Sequence, residues 1–245
     1  MAQRCQAAHG CTGLPACRPA GVDRPCVSGV TGRSGHARDS YRRLRLALRS
    51  RPDADSRLRL WALTILAETA EALGETTAAE RHYQQALSLG VRDAYLLNAY
   101  ADFLLDRGRP EQVIELLAAE TRGDGSLLRL ALAEQRLAAP ELDDHRAVLG
   151  ARFAASRRRG DAIHLREEAR FTLQLLQQPR RALQLALENW RVQREPWDAR
   201  VVLEAALAAG APSAAAPILQ WLRRSQLENI RIQGLVEQLR KQGRS

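Results

Sequence analysis

One spacing of four positions recurs 34 residues further along the chain, and it constrains the fold more than any other feature. The two copies carry, at corresponding positions, Gly74, Ala79, Tyr83 and Ala86, and then Gly108, Val113, Leu117 and Glu120. A period of roughly 20 to 50 residues is typical of repeat proteins, in which each unit buries its apolar face against its neighbours. The recurrence therefore predicts a row of stacked units.

Each copy has the pattern of two helices joined by a glycine turn. Apolar residues at i, i+3, i+4 and i+7 mark one face of the first helix, and Gly74 ends that helix because glycine tolerates a positive φ. Gly108 has the same role in the second copy, and Asp93 is placed to cap the helix between them. The residues expected to face inward are Leu63, Leu66, Ala67 and Ala70, then Ala79, Tyr83, Ala86 and Leu87, then Leu97, Tyr100, Ala101 and Leu104, and finally Val113, Leu116 and Leu117.

These copies resemble the tetratricopeptide repeat, a helix–turn–helix unit of about 34 residues. The resemblance is good over 60–120 and weaker over 31–50 and 162–224. It departs from the family where Leu63 and Leu97 stand in place of the usual tryptophan. The resemblance implies an all-α fold, a right-handed α-solenoid of stacked antiparallel helix pairs, in a bacterial repeat-containing protein.

Downstream of the second copy, looser patterns predict further helices within a repeat domain that covers 31–241. A solenoid needs a terminal helix with a polar outer face, and the charged residues beside the last apolar stripe suit that role. The expected segments are 127–138, 141–160 with Val148, Leu149 and Phe153 inward, 162–177 capped by Asp161, a helix that buries Trp190, the pair 198–209 and 214–224, and the C-terminal capping helix 227–241.

The first 30 residues differ from the rest, because they are rich in Cys, Gly and Pro. We expect them to be disordered or poorly ordered, and we hypothesise that they replace the upstream part of the solenoid, which is missing or mistranslated. The gaps between their cysteines exceed those of structural zinc pairs, and two disulfides are the alternative in an oxidising compartment. These cysteines are Cys5, Cys11, Cys17 and Cys26.

The chain as written carries no basic start followed by an apolar block, which a secretory leader needs. It also lacks an apolar run of about 18 residues, the length needed to span a bilayer. We therefore expect a cytoplasmic protein without a membrane span, or a periplasmic one if the true N-terminus lies upstream.

The net charge of +9 raises the question of nucleic acid. The 37 basic residues include a single lysine, Lys241, so 36 are arginines. This skew is typical of coding in a GC-rich genome. A nucleic-acid-binding helical-repeat protein that uses its arginine excess is the alternative function, and a protein or peptide partner is the preferred one.

Catalytic and metal-binding patterns are weak. His164 and Glu168 share a helix face, but the zinc protease motif needs two histidines around a glutamate. We interpret this segment as an exposed helix start, and Asp143, Asp144 and His145 in the same way. The basic run 157–159 is interpreted as a solvated helix end. Nucleophile and phosphate-loop motifs are missing, so we expect no enzymatic activity, no cofactor, no metal and no small-molecule substrate.

The resemblance implies a peptide-binding groove on the concave side, which the first helix of each unit lines. Four of the expected groove residues are acidic and none is basic, which predicts a partner that is basic or polar with an apolar anchor. An acidic tail is not expected, because the lysines that clamp such tails in the family are missing. The alternative is a merely solvated polar face. The expected groove residues are Trp61, Thr64, Glu68, Glu71, Tyr95, Asn98, Asp102 and Asp106.

Overall fold

The computed structural model describes residues 36–160 and 165–243, and this part of the chain is all-α. It contains twelve α-helices, one short 3-10 helix and no strand. The helices are α1 (Ala37–Arg49), α2 (Ser56–Ala72), α3 (Thr76–Leu87), α4 (Ala94–Asp106), α5 (Pro110–Leu117), α6 (Asp124–Leu137), α7 (Leu142–Arg158), α8 (Leu165–Gln174), α9 (Pro179–Val192), α10 (Pro196–Ala208), the 3-10 helix (Pro212–Ala215), α11 (Ala216–Ser225) and α12 (Ile230–Gln242).

Local signals set the helix ends. Gly74 and Gly108 adopt φ values of +82° and +67°, so the prediction that they end α2 and α4 is confirmed. The carboxylate of Asp93 accepts a hydrogen bond of 2.9 Å from the backbone N–H of Leu96, which confirms the predicted cap of α4. Proline occupies the first turn of α5, α9 and α10, where its missing N–H breaks no helical hydrogen bond.

The even-numbered helices contact one another in chain order. α2 packs against α4, α4 against α6, α6 against α8, α8 against α10, and α10 against α12. Each even-numbered helix from α2 to α10 also packs against the odd-numbered helix that follows it. The even-numbered helices therefore form one continuous series of neighbours, and this series contains residues that are far apart in sequence.

The core contains the large residues that the repeat pattern predicts to be inside. Tyr83 is fully buried, and its ring lies 5.1 Å from the ring of Tyr100 and 5.5 Å from that of Phe103, measured between centroids. Trp190 is buried as predicted and meets Trp221 edge to face at 5.3 Å. These contacts belong to two apolar clusters, one centred on α2 to α6 and the other on α9 to α12.

Two predictions about faces are wrong. Val148 is exposed on α7, although Leu149 and Phe153 are buried as predicted. Glu168 is buried in α8 instead of lying on an exposed turn, and it is paired with Arg157. The predictions for residues 1–30 with their cysteines, for Asp161 and for His164 lie outside the described residues.

In the described ranges, no helix combines the length and the apolar character that crossing a bilayer requires.

Candidate functional site

A pocket of about 350 Å³ lies where the even-numbered helices converge. All six helices from α2 to α12 in the even series contribute lining side chains, and Tyr83 of α3 forms part of the floor. The charged and aromatic residues that line it include Glu68, Glu71, Tyr95, Asp106, Arg129, Trp197, Arg200 and Arg231.

Six of the eight residues predicted to line a groove do line this pocket. They come from the inner faces of α2 and α4, which the repeat register predicts to be neighbours. These six are Glu68, Glu71, Tyr95, Asn98, Asp102 and Asp106.

The other two predicted groove residues lie elsewhere. Thr64 is 0% exposed, and its hydroxyl donates a hydrogen bond of 2.8 Å to the carbonyl of Leu60, so it offers no surface to a partner. Trp61 is partly buried against the apolar cluster that joins α1 and α2. The reason is that α1 covers this end of α2.

Asp102 lines the pocket, but its charge is already used inside the protein. The side chain of Arg129 donates two hydrogen bonds to it, at 3.0 and 2.5 Å, and Arg170 donates another at 2.9 Å. All three residues are buried. Burial alone would raise the pKa of Asp102, but the two guanidinium groups outweigh it and hold that pKa below its ordinary value. The expectation that Asp102 faces a partner is therefore wrong: it ties α4 to α6 and α8.

Asp106, one helical turn after Asp102 on α4, is held in a similar way. Arg200 of α10 donates two hydrogen bonds of 2.7 Å to the two oxygens of Asp106, a bidentate pairing that fixes both side chains. Arg231, in the first turn of α12, forms a second ion pair with the same carboxylate. Asp106 thus joins α4 to α10 and α12.

Trp197 forms an aromatic wall beside these ion pairs. The guanidinium carbon of Arg200 lies 4.3 Å from its ring centroid, and that of Arg170 lies 4.8 Å away. Both distances are within the range of a favourable cation–π contact. The ring and the two arginines therefore support one another as a rigid unit.

Basic residues also line the pocket. Arginines of α6, α8, α10 and α12 enter it, whereas the predicted groove residues come only from α2 and α4. Continuing the inward face of the first helix of each later pair is the signal that finds them. The arginines that line the pocket are Arg107, Arg129, Arg166, Arg200 and Arg231.

Glu71 differs from the other pocket carboxylates described above. Its carboxylate accepts a long hydrogen bond of 3.4 Å from the hydroxyl of Tyr83, and it has no ion-pair partner among the described residues. Burial, together with the charges of Asp106, Asp102 and Glu68, raises the pKa of Glu71 to about 8, although Arg200 opposes the shift. The pocket therefore contains a carboxyl group that is largely protonated at neutral pH.

The first turn of α12 narrows the pocket at the end of α2. A β-carbon placed on Gly74 would lie 2.9 Å from the Cδ1 atom of Ile230, so the side chain of Ile230 packs directly on Gly74. Just before α12, Glu228 accepts a hydrogen bond of 3.0 Å from the backbone N–H of Arg38. Residues of α12 and of the segment before it therefore border the pocket.

The remaining sequence candidates for chemistry lie apart from this pocket. The Nδ1 atom of His145 is 2.8 Å from a carboxylate oxygen of Glu134, and Asp143 pairs with Arg146 on the surface at 2.6 Å. Over residues 36–160 and 165–243, no group of three or more histidine, cysteine or acidic side chains is arranged to hold a metal ion.

No family model matches the chain, and neither a curated protein nor a solved structure is significantly similar to it.

Proposed function

We propose that the protein is a non-enzymatic interaction module, a tetratricopeptide-like solenoid that binds a segment of a partner protein in the pocket between its even-numbered helices. The observation that carries this proposal is that all six even helices supply side chains to a single pocket. A stack of helix pairs creates such a concave surface without any catalytic group.

The side chains at the pocket suit recognition of a polypeptide. Tyr95 is 44% exposed and Trp197 is partly buried, and both line the pocket. Large aromatic side chains that lose few rotamers on contact are common energetic centres of protein interfaces. Apolar patches from Ile65, Ala99 and Ile230 lie beside the charged groups, so the lining suits a mixed segment with a polar part and an apolar anchor.

The alternative, nucleic-acid binding, needs arginines that are available to phosphates. Arg129, Arg170 and Arg200 are instead buried against carboxylates. These three guanidinium groups are therefore not available to phosphates, which counts against nucleic-acid binding in the pocket.

Site-specific photocross-linking tests the proposal directly. A benzoylphenylalanine is introduced at Tyr95 in the pocket and, as a matched control, at Val192, which is 67% exposed on α9 and does not line the pocket. We expect a discrete protein adduct from position 95 that position 192 does not give. The adduct site is then identified, and a peptide of that sequence is titrated against the wild type and Tyr95→Ala.

Binding in the pocket predicts that Tyr95→Ala weakens affinity roughly tenfold, the effect of losing a central aromatic contact. Two results contradict the proposal: the same adducts at both positions, or adducts from position 95 that nuclease digestion removes.

A further inference from the structure

Of the pocket carboxylates Glu71, Asp102 and Asp106, Glu71 alone has no arginine within ion-pair distance among the described residues. Asp102 and Asp106 each contact two arginines, whereas Glu71 contacts only the hydroxyl of Tyr83 at 3.4 Å. Buried carboxylates are normally paired with a cation. Glu71 has no such cation among the described residues, so a ligand can supply one.

The carboxylates near Glu71 outweigh the nearby positive charge in their effect on its pKa. Glu68 lies one turn away on α2, Asp102 and Asp106 face it from α4, and Arg200 of α10 is the main opposing charge. Tyr83 of α3 donates its hydroxyl to Glu71, and Tyr95 of α4 donates its own at 2.5 Å to Glu68. Arg231 of α12, Arg107 after α4, and Arg129, Arg166, Glu167 and Glu195 from α6, α8 and the start of α10 complete the charged lining.

We propose that the pocket binds a positively charged side chain, a guanidinium or alkyl ammonium group, at the carboxylate of Glu71. The proposal rests on the proposed function, because it names the part of the partner segment that enters the pocket. The volume of about 350 Å³ is ample for one long basic side chain. Tyr95, which is 44% exposed, also lines the pocket, and aromatic rings attract organic cations.

Binding of this kind is coupled to proton release. Burial and the nearby carboxylates raise the pKa of Glu71 to about 8, so the free pocket holds a proton at neutral pH that an entering cation displaces. The affinity for a permanent cation should therefore rise with pH up to the pKa of Glu71 and then level off. For a group with a pKa of about 8, the ionised fraction grows roughly tenfold between about pH 7 and pH 9.

Calorimetry with acetyl-arginine amide and its neutral counterpart, acetyl-citrulline amide, tests the proposal. The two probes have nearly the same shape, and the guanidinium stays charged throughout this pH range. We expect the arginine probe to bind with an affinity that rises about tenfold from pH 7 to pH 9, and the citrulline probe to bind at least about tenfold more weakly at pH 9. Titrations at pH 7 in buffers with different ionisation enthalpies should show close to one proton released per probe bound.

The variant Glu71→Gln keeps the shape of the side chain and removes its charge. It should bind the arginine probe weakly and with no pH dependence, whereas the control Glu111→Gln, on the exposed side of α5, should behave as wild type. Equal binding of both probes, or an unchanged pH profile in Glu71→Gln, overturns the proposal.

The cross-linking at Tyr95 separates this proposal from the proposed function. A protein adduct whose contact segment carries no basic residue overturns the cation site and leaves the interaction module standing. Proton-coupled binding of the arginine probe, without any protein adduct, supports the cation site and contradicts the interaction module.

Discussion

Removing the carboxylate of Asp102 should destabilise the protein more than any surface charge change. The substitution Asp102→Ala leaves Arg129 and Arg170 buried without their shared anion. Breaking a buried ion pair from one side costs about 3–5 kcal/mol, because the remaining charge stays out of water. Arg129 keeps its hydrogen bonds to the carbonyls of Asn98 and Gly125, at 3.0 and 2.8 Å, so part of its donor capacity remains satisfied.

The loss should be measured by urea denaturation followed by circular dichroism. We expect Asp102→Ala to lower the free energy of unfolding by about 3–5 kcal/mol. The control is Asp143→Ala, which removes a comparable Asp–Arg pair at 2.6 Å on the surface and should cost less than about 1 kcal/mol. A third protein carries Asp102→Leu, Arg129→Met and Arg170→Met together, and it should recover most of the stability because no buried charge is left unpaired.

The pH dependence of the free energy of unfolding tests the contribution of Asp102 independently. The folded pKa of Asp102 lies below its unfolded value, so its stabilising effect is fully present above about pH 4 and is lost as the pH falls through the folded pKa. The difference in stability between wild type and Asp102→Ala should therefore shrink in that acidic range. The reasoning is refuted if Asp102→Ala is as stable as the surface control at pH 7.

Three further predictions follow from single contacts. Tyr83→Ala should lower the free energy of unfolding by about 3–5 kcal/mol, because it leaves a cavity at a fully buried site. Tyr83→Phe keeps the ring and should lower the free energy of unfolding by less than about 1.5 kcal/mol in the same urea titration. Equal losses in the two variants would contradict the packing explanation. Gly74→Ala and Gly108→Ala should each lower the free energy of unfolding by about 1 kcal/mol, because both glycines have positive φ. Only the new methyl group at position 74 meets Ile230, so only Gly74→Ala should speed hydrogen exchange in the first turn of α12. Equal exchange rates in both variants would count against this contact. Glu71→Gln should raise the melting temperature relative to wild type by an amount that grows from about pH 5 to pH 8. The reason is that the raised folded pKa of Glu71 favours folding at low pH, and this advantage of the wild type is lost as the pH rises through about 8. A constant difference in melting temperature across that range would contradict the burial of Glu71.

The helices and their inward faces could be predicted because both depend on short-range patterns. An apolar stripe at helical spacing, a glycine that tolerates positive φ and an aspartate at a helix start each act within a few residues. The burial of Tyr83 followed from the same register, since a large residue at that position fills the space between neighbouring helix pairs. Val148 was misplaced because α7 offers two adjacent candidate positions, and only Leu149 reaches the core.

The pocket could be predicted only in part, because its two sides come from distant segments. The acidic side lies on α2 and α4, where the repeat copies are clearest. The basic side depends on contacts such as Asp102 with Arg170, 68 residues apart, and Asp106 with Arg200, 94 residues apart. Which arginines reach α4 depends on the rotation between successive helix pairs, and a local sequence pattern carries no information about that rotation.

Some of the arginines join helices to one another, which the net charge alone does not show. Arg129 joins α6 to α4, Arg170 joins α8 to α4, and Arg200 joins α10 to α4, each through a carboxylate that lines the pocket. A guanidinium suits this role better than an ammonium group, because its planar fork binds both oxygens of a carboxylate and stacks on an aromatic ring such as Trp197. Arg129 and Arg170 share the carboxylate of Asp102, and Arg200 and Arg231 share that of Asp106. The same pairs hold the even helices around the pocket, and they leave Glu71 as the carboxylate at which an incoming positive charge gains the most.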